Sequence, residues 1–329
     1  MVARSVPLYQ DLPRGENELY PNAWGIFGDK DQLGTLNHLT PERVINALES
    51  VTSGTVINLN LPLDAFDPPL ISHRGIPHHE IFGLNKFHRD DRIDNLFLQA
   101  STQLDSLRHF AHPDKGFYNG FAGEELVVGK LNLGIQNVAS KGVAGRGLLI
   151  DLDAYFKSVG KSIDYNSGQT FSVQDLNDAL AFQESEVLPG DILMIRTGWL
   201  KAIRDPKYVR DTVLRSPGLE PSEPIAEWLW NSQVSIAASD NLALEAWPSQ
   251  KDVLPTMAEQ HGELETSSHT GMLHRLLIPL LGMTIGELWD LDDLASECQM
   301  RKKYDCFITA EPLNLPGGVG SPANALAII

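Results

Sequence analysis

An aspartate and a histidine, Asp105 and His109, stand four residues apart in QASTQLDSLRHF, and Gln99 and Gln103 precede them at the same spacing. A carboxylate beside an imidazole can hold the ring in one tautomer and raise its basicity, or join it in binding a divalent ion. Were the segment helical, the spacing would set both side chains on one face. Ser101, Thr102 and Ser106 crowd the same stretch, which leaves the apolar run LFLQA. Polar groups entering from a buried strand need partners, and a ligand or an ion can supply them.

A second candidate pair lies near the C-terminus. His274 falls in HRLLIPLLG, read as an apolar helix that Pro279 and Gly282 end, and Glu287 falls in the strand-like MTIGELW. Such groups either find structural partners, a carbonyl for His274 and an arginine for Glu287, or serve a site. Phe110 and Tyr118 flank the first motif and are the aromatic residues best placed to touch a substrate. Arg108 offers either a pair for a substrate carboxylate or a structural salt bridge. The loop PGGVGSPAN lacks the fixed glycine spacing of a nucleotide-binding turn, and no G-x-S-x-G, H-E-x-x-H or paired C-x-x-C occurs. The corresponding serine-hydrolase, zincin and zinc-ribbon chemistries are thereby disfavoured.

Something must position these groups. Runs rich in Val, Ile and Leu predict strands over 55–63, 145–152, 190–199, 234–240 and 304–313, and helical patterns fall at 40–51, 172–183 and 222–233. Thr40, Ser172 and Ser222 are the expected N-caps. The mixture predicts an α/β or α+β chain, 1–329 as one domain, with chemistry on loops after strand ends. The stretch from Asp64 to Asn95 reads as a long irregular loop of the kind that forms a lid or binding loop.

The 329 residues carry a formal charge of −17 and no basic stripe, which excludes a phosphate-backbone reader. No run of about 18 apolar residues predicts a membrane span, and the N-terminus has no apolar signal core, so a cytoplasmic location is expected. Cys298 and Cys306 are expected to be reduced, structural thiols. The expected partner is a small molecule rather than nucleic acid or membrane.

The chain resembles, over nearly its whole length and in order, the cyclase-like hydrolases related to bacterial kynurenine formamidase and isatin hydrolase. The matching segments include WGIFGDKDQLGTLNHLTPE (24–42), STQLDSLRHFAHPDKGFYNG (101–120), PGDILMIRTGW (189–199), SDNLALEAWP (239–248), HRLLIPLLGMTIGELWDLDDLA (274–295) and PLNLPGGVGSPANALAI (312–328). The resemblance is to the branch whose central motif bears glutamine, S-T-Q-x-D-x-x-x-H. In the formamidases that motif reads H-x-G-T-H-x-D-x-P-x-H; two histidines and the aspartate bind metal and the last histidine is the general acid/base.

By that resemblance Asp105 is a ligand or partner and His109 the acid/base, while Gln99 and Gln103 stand where two ligand imidazoles would be. Ser101 and Leu107 replace the motif's glycine and proline, and His274 and Glu287 correspond to the further ligands. Carboxamides in place of imidazoles favour Mn²⁺ or Mg²⁺ over Zn²⁺. A metal-free site stays open, with Asp105 orienting His109 while Gln99 and Gln103 bind substrate. The implied activity is arylformamidase-like hydrolysis of an amide, formamide or lactam in a small aromatic molecule, a chemistry that belongs to tryptophan catabolism. The alternatives are a metal-free cyclase or dehydratase, a lactone hydrolase, and a non-catalytic small-molecule binder. The resemblance also implies a homo-oligomer, a dimer or tetramer.

Overall fold

The apolar runs bounded by glycine and proline become the strands of one large sheet. The computed structural model describes residues 6–329 apart from 17, 210–212, 251–252 and 266–268. In chain order the strands are β1 (Val56–Asn58), β2 (His78–Gly83), β3 (Arg89–Asp94), β4 (Gln103–Asp105), β5 (Val143–Asp151), β6 (Thr170–Phe171) and β7 (Ile192–Arg196). They continue with β8 (Gly218–Leu219), β9 (Ile236–Ser239), β10 (Thr284–Glu287), β11 (Asp305–Ala310), β12 (Gly320–Pro322) and β13 (Ala325–Ile328). Nine of them form a mixed sheet in the order β1-β13-β11-β5-β7-β9-β10-β4-β12.

The centre of the sheet, β5-β7-β9-β10, is parallel, and both flanks are antiparallel. Parallel strands are covered on both faces, so they read as unbroken apolar runs rather than alternating ones. Leu148 to Ile150, Ile192 to Ile195 and Ile236 to Ala238 accordingly lie at 0–1% exposure. Each leucine, isoleucine or methionine side chain among them removed from water contributes about 1.5–3 kcal/mol. The helices Pro41–Ala47 and Val173–Phe182 pack on β5, and the second of these also meets Glu223–Asn231. The result is the mixed α/β architecture that the alternation of elements predicts.

Local chemistry decided several boundaries. The Thr40 hydroxyl accepts from Arg43 N–H, and Ser172 forms a capping box with Asp175. Ser222 occupies the expected N-cap position, yet its hydroxyl donates to Glu220 instead of capping. The expected irregular loop over 64–95 contains a hairpin, β2 with β3. Its residues are largely exposed on both faces, so no alternation marks them in the sequence. The segment from Asp105 to His109 is not helical: Asp105 ends β4 and His109 follows in a turn. The PGGVGSPAN loop also gains structure at its end, where β12 pairs with β4. Cys298 and Cys306 are both free and buried. No helix among the described residues is long and apolar enough to cross a membrane.

Candidate active site

The site forms where β4 meets β10. These strands run antiparallel with Gln103 opposite Glu287 and Asp105 opposite Ile285. Directly opposed residues share a sheet face, and so do residues two apart, so Gln103, Asp105 and Glu287 project to one side. Glu287 ends a parallel strand, and the turn after the neighbouring parallel strand β9 brings in Glu245. Crevices at the carboxyl ends of parallel strands are where such sheets hold ligands. Thr102 pins the start of β4 by donating to Leu288 O (2.5 Å) and accepting from Leu61 N (2.9 Å).

Gln99 reaches into the same space from the preceding turn. Its side-chain nitrogen lies 2.5 Å from Asp105 Oδ1 and 3.2 Å from His109 Nδ1. An amide NH₂ has two hydrogens, one for each acceptor. His109 Nδ1 is therefore the acceptor, and its ring proton sits on Nε2. That nitrogen is 3.8 Å from Asp105 Oδ2, too far for a hydrogen bond. Asp105 is thus not the direct partner of His109; Gln99 orients the ring. Asp105 Oδ2 has no hydrogen-bond partner although the residue is fully buried. Gly320 makes room for this contact, because a Cβ there would lie 2.9 Å from Gln99 Cγ and 3.2 Å from Asp105 Oδ1.

His274 is clamped between two carboxylates. Its Nδ1 meets both Glu245 oxygens at 2.8 and 3.0 Å, and its Nε2 lies 3.2 Å from Glu287 Oε1. The Gln103 amide nitrogen donates to the other Glu287 oxygen. Burial alone would drive the His274 ring to its neutral form, but the two carboxylates outweigh it and hold its pKa well above the ordinary value. For Asp105, burial raises the carboxyl above its ordinary value, with Glu287 adding to this and His109 opposing it. One oxygen or nitrogen each from Asp105, His109 and His274 lie within 4.8 Å of one another, close enough to share a divalent ion.

Gln99, His109, His274 and Glu287 of this cluster line one side of a pocket of about 530 Å³. Phe97, Phe110 and Trp247 supply aromatic surface, and Arg74 and His269 also line it. Of the residues singled out in the sequence, the structure brings together Gln99, Gln103, Asp105, His109, Phe110, His274 and Glu287. Arg108 and Tyr118 depart from their expected substrate-facing places. The Arg108 guanidinium donates to the backbone carbonyls of Val127, Lys130 and Asn132, and so ties the motif to that loop. Tyr118 is fully buried with its hydroxyl on Asp31. Glu245, the partner of His274, was not singled out; its signal was an acidic residue inside SDNLALEAWP, one of the segments that carry the resemblance.

Residues 52–246, more than half of the chain, match the family model Cyclase, described as "Putative cyclase". The chain belongs to the cyclase family. A solved structure described as a novel cyclase is 33% identical, with a TM-score of 0.77 over 94% of this chain and 99% of that one. Isatin hydrolase A from Labrenzia aggregata, bound to benzyl benzoate, is similar in fold at 15% identity and a TM-score of 0.58, over 88% of this chain and 98% of that one. Isatin hydrolase A from Ralstonia solanacearum is similar at 17% identity and a TM-score of 0.55, over 88% and 97%. No curated protein matches the chain. The cyclase-family match spans Gln99, Gln103, Asp105, His109 and Glu245, whereas His274 and Glu287 lie beyond it.

Proposed function

We propose that the chain is a hydrolase that cleaves a C–N bond, of an amide, formamide or lactam, in a small aromatic molecule. The observation that carries this reading is a pair 3.8 Å apart: Asp105 Oδ2, buried and without a hydrogen-bond partner, and His109 Nε2, on a ring that lines an aromatic pocket. A base and an N–H donor that do not engage each other are both available to a water and a carbonyl group held beside them. Asp105 in its ionised form takes a proton as water attacks the carbonyl carbon. The Asp105 carboxyl then gives that proton to the departing nitrogen and the C–N bond breaks, while the His109 Nε2–H donates to the carbonyl oxygen as negative charge builds there. Asp105 is thereby returned to its carboxylate, and the ring keeps its proton throughout. Acid–base chemistry of this kind contributes roughly 10²–10⁴-fold.

The donor set also fits a divalent cation. Asp105 Oδ2 is buried without a partner, and Glu245 holds His274 from behind as a carboxylate typically holds a metal-binding imidazole. Asp105, His274 and Glu287 would hold the ion, and the oxygen-rich set favours Mn²⁺ or Mg²⁺ over Zn²⁺. Bound there, such an ion would polarise the carbonyl and acidify water. A specific arrangement favours the metal-free reading as well. Two glutamine amides donate to Asp105 and Glu287, and a cationic His274 sits between Glu245 and Glu287, so the carboxylates already have donors. That version suits an easier reaction, a lactone opening, cyclisation or dehydration.

The test is turnover of N-formylkynurenine, isatin and simple lactones by the purified protein, before and after chelation and with Mn²⁺ or Mg²⁺ added. His109→Ala is expected to lower turnover by about 10²–10⁴-fold. Retained turnover in that variant overturns the assignment, and no turnover of any substrate by the parent protein leaves a binder. Elemental analysis of the protein as purified separates the two versions.

A further inference from the structure

One cation in the pocket wall, Arg74, has no counter-charge among the described residues. Of the carboxylates nearby, Glu245 and Glu287 are paired with His274, and Asp105 meets Gln99 through one oxygen; none of them pairs with an arginine. Arg74, half-buried in the same wall, forms no ion pair with any described residue. It is anchored through one guanidinium nitrogen to the backbone carbonyl of Gln99. A guanidinium carries five N–H donors in a planar fork matched to a carboxylate, so one anchoring bond leaves most of that capacity for a ligand. Arg108, the other arginine near the motif, gives three of its five N–H groups to backbone carbonyls and does not line the pocket.

We propose that Arg74 recognises a carboxylate on the substrate, and that the site takes an aromatic acid in which this carboxylate lies close to the C–N bond to be cut. The spacing follows from Gln99. Its backbone carbonyl anchors Arg74, and its side-chain amide holds Asp105 and His109. A single residue therefore spans the distance between the anion-binding end and the acid–base end. A substrate with both groups on one ring, at neighbouring positions, matches that span, and Phe97, Phe110 and Trp247 provide the surface for the ring. The inference rests on the hydrolase reading for the bond that is cut, but not for the recognition of the anion.

The experiment compares 2-formamidobenzoate with its uncharged methyl ester. The parent protein is expected to prefer the acid in kcat/KM, and Arg74→Gln to reduce that preference by about 10- to 100-fold, mainly through KM, as loss of a charge-assisted bond implies. Arg74→Lys should recover part of it. A preference that survives in Arg74→Gln, or that is absent in the parent protein, overturns the proposal. If neither compound is hydrolysed, the hydrolase reading fails and calorimetric binding of 2-aminobenzoate and its methyl ester decides the anion proposal alone. Tighter binding of the acid that is lost in Arg74→Gln supports it; equal binding of acid and ester, or no binding, ends it.

Discussion

Two glutamines, which by the motif's resemblance stand where imidazoles would ligate a metal, change what the neighbouring groups must do. An imidazole ligand presents a lone pair, whereas an amide presents both a donor and an acceptor, and here the donor ends face Asp105 and Glu287. Gln99 thereby becomes the residue that sets the tautomer of His109, a task expected from the sequence to fall to Asp105. Replacing Gln99 with leucine removes both N–H bonds while keeping a similar volume. Asp105 would then face no donor from that side, and His109 would be free to rotate. The expected outcome is a 10- to 100-fold fall in kcat with a smaller change in KM, the usual cost of losing a group that orients an active-site side chain. Steady-state kinetics on the Gln99→Leu variant check this, and unchanged kcat would show that the ring is held by something else. The acid–base pair was readable from residue type and spacing. Its separation was not, because the pair was read on a helix and folds as a strand followed by a turn.

At the level of elements, the site depends on a three-residue strand held between two others. β4 is too short for any periodic signal, and its position comes from the antiparallel partners β10 and β12. The longer parallel strands were readable because their unbroken apolar runs need no partner to be recognised. The same limit hid Glu245, which owes its place to the turn after β9 and to contact with a histidine 29 residues further on. Leu244 and Leu288 adopt left-handed backbone conformations next to Glu245 and Glu287, with φ of 61° and 55°. Strain at bulky residues of this kind gathers at sites whose surroundings over-determine the backbone. The turn into β10 is fixed by a contact between two glycines. Gly34 and Gly282 have φ of 56° and 68°, and a Cβ at Gly282 would fall 2.5 Å from the Tyr118 ring and 3.0 Å from Gly34 Cα. Gly282→Ala should therefore cost on the order of 2–4 kcal/mol, from backbone strain and overlap together. Because β10 carries Glu287, activity should fall with stability, and denaturant unfolding alongside turnover measures both.

For the whole molecule, the acidic balance and the apolar centre describe how it withstands pH rather than what it does. His112 lies just outside the site, buried to 5% exposure, with Nδ1 accepting from Asp114 N–H and Nε2 without a partner. Burial lowers its pKa to about 4, with Arg275 and Lys115 acting in the same direction and Asp114 opposing them. The unfolded chain has the ordinary value of about 6.5, so it binds a proton at a pH where the folded state does not. The stability that neutral His112 represents is fully present above pH 6.5 and is lost as pH falls toward about 4. Other groups titrate over the same range, Asp191 and Asp240 among them, with values raised to about 6 and about 7 chiefly by burial. Their linkage has the opposite sign, since it weakens the fold as pH rises, so the total pH profile conceals any one group. The difference between two proteins isolates it. His112→Asn keeps an oxygen to accept the Asp114 N–H and removes the titration. Between pH 7.5 and pH 5.0 the parent protein should lose about 1–2 kcal/mol relative to that variant, from one proton over the interval. Urea unfolding of both proteins at the two pH values measures this. A constant difference would mean that the buried ring binds its proton as readily in the folded state as in the unfolded one.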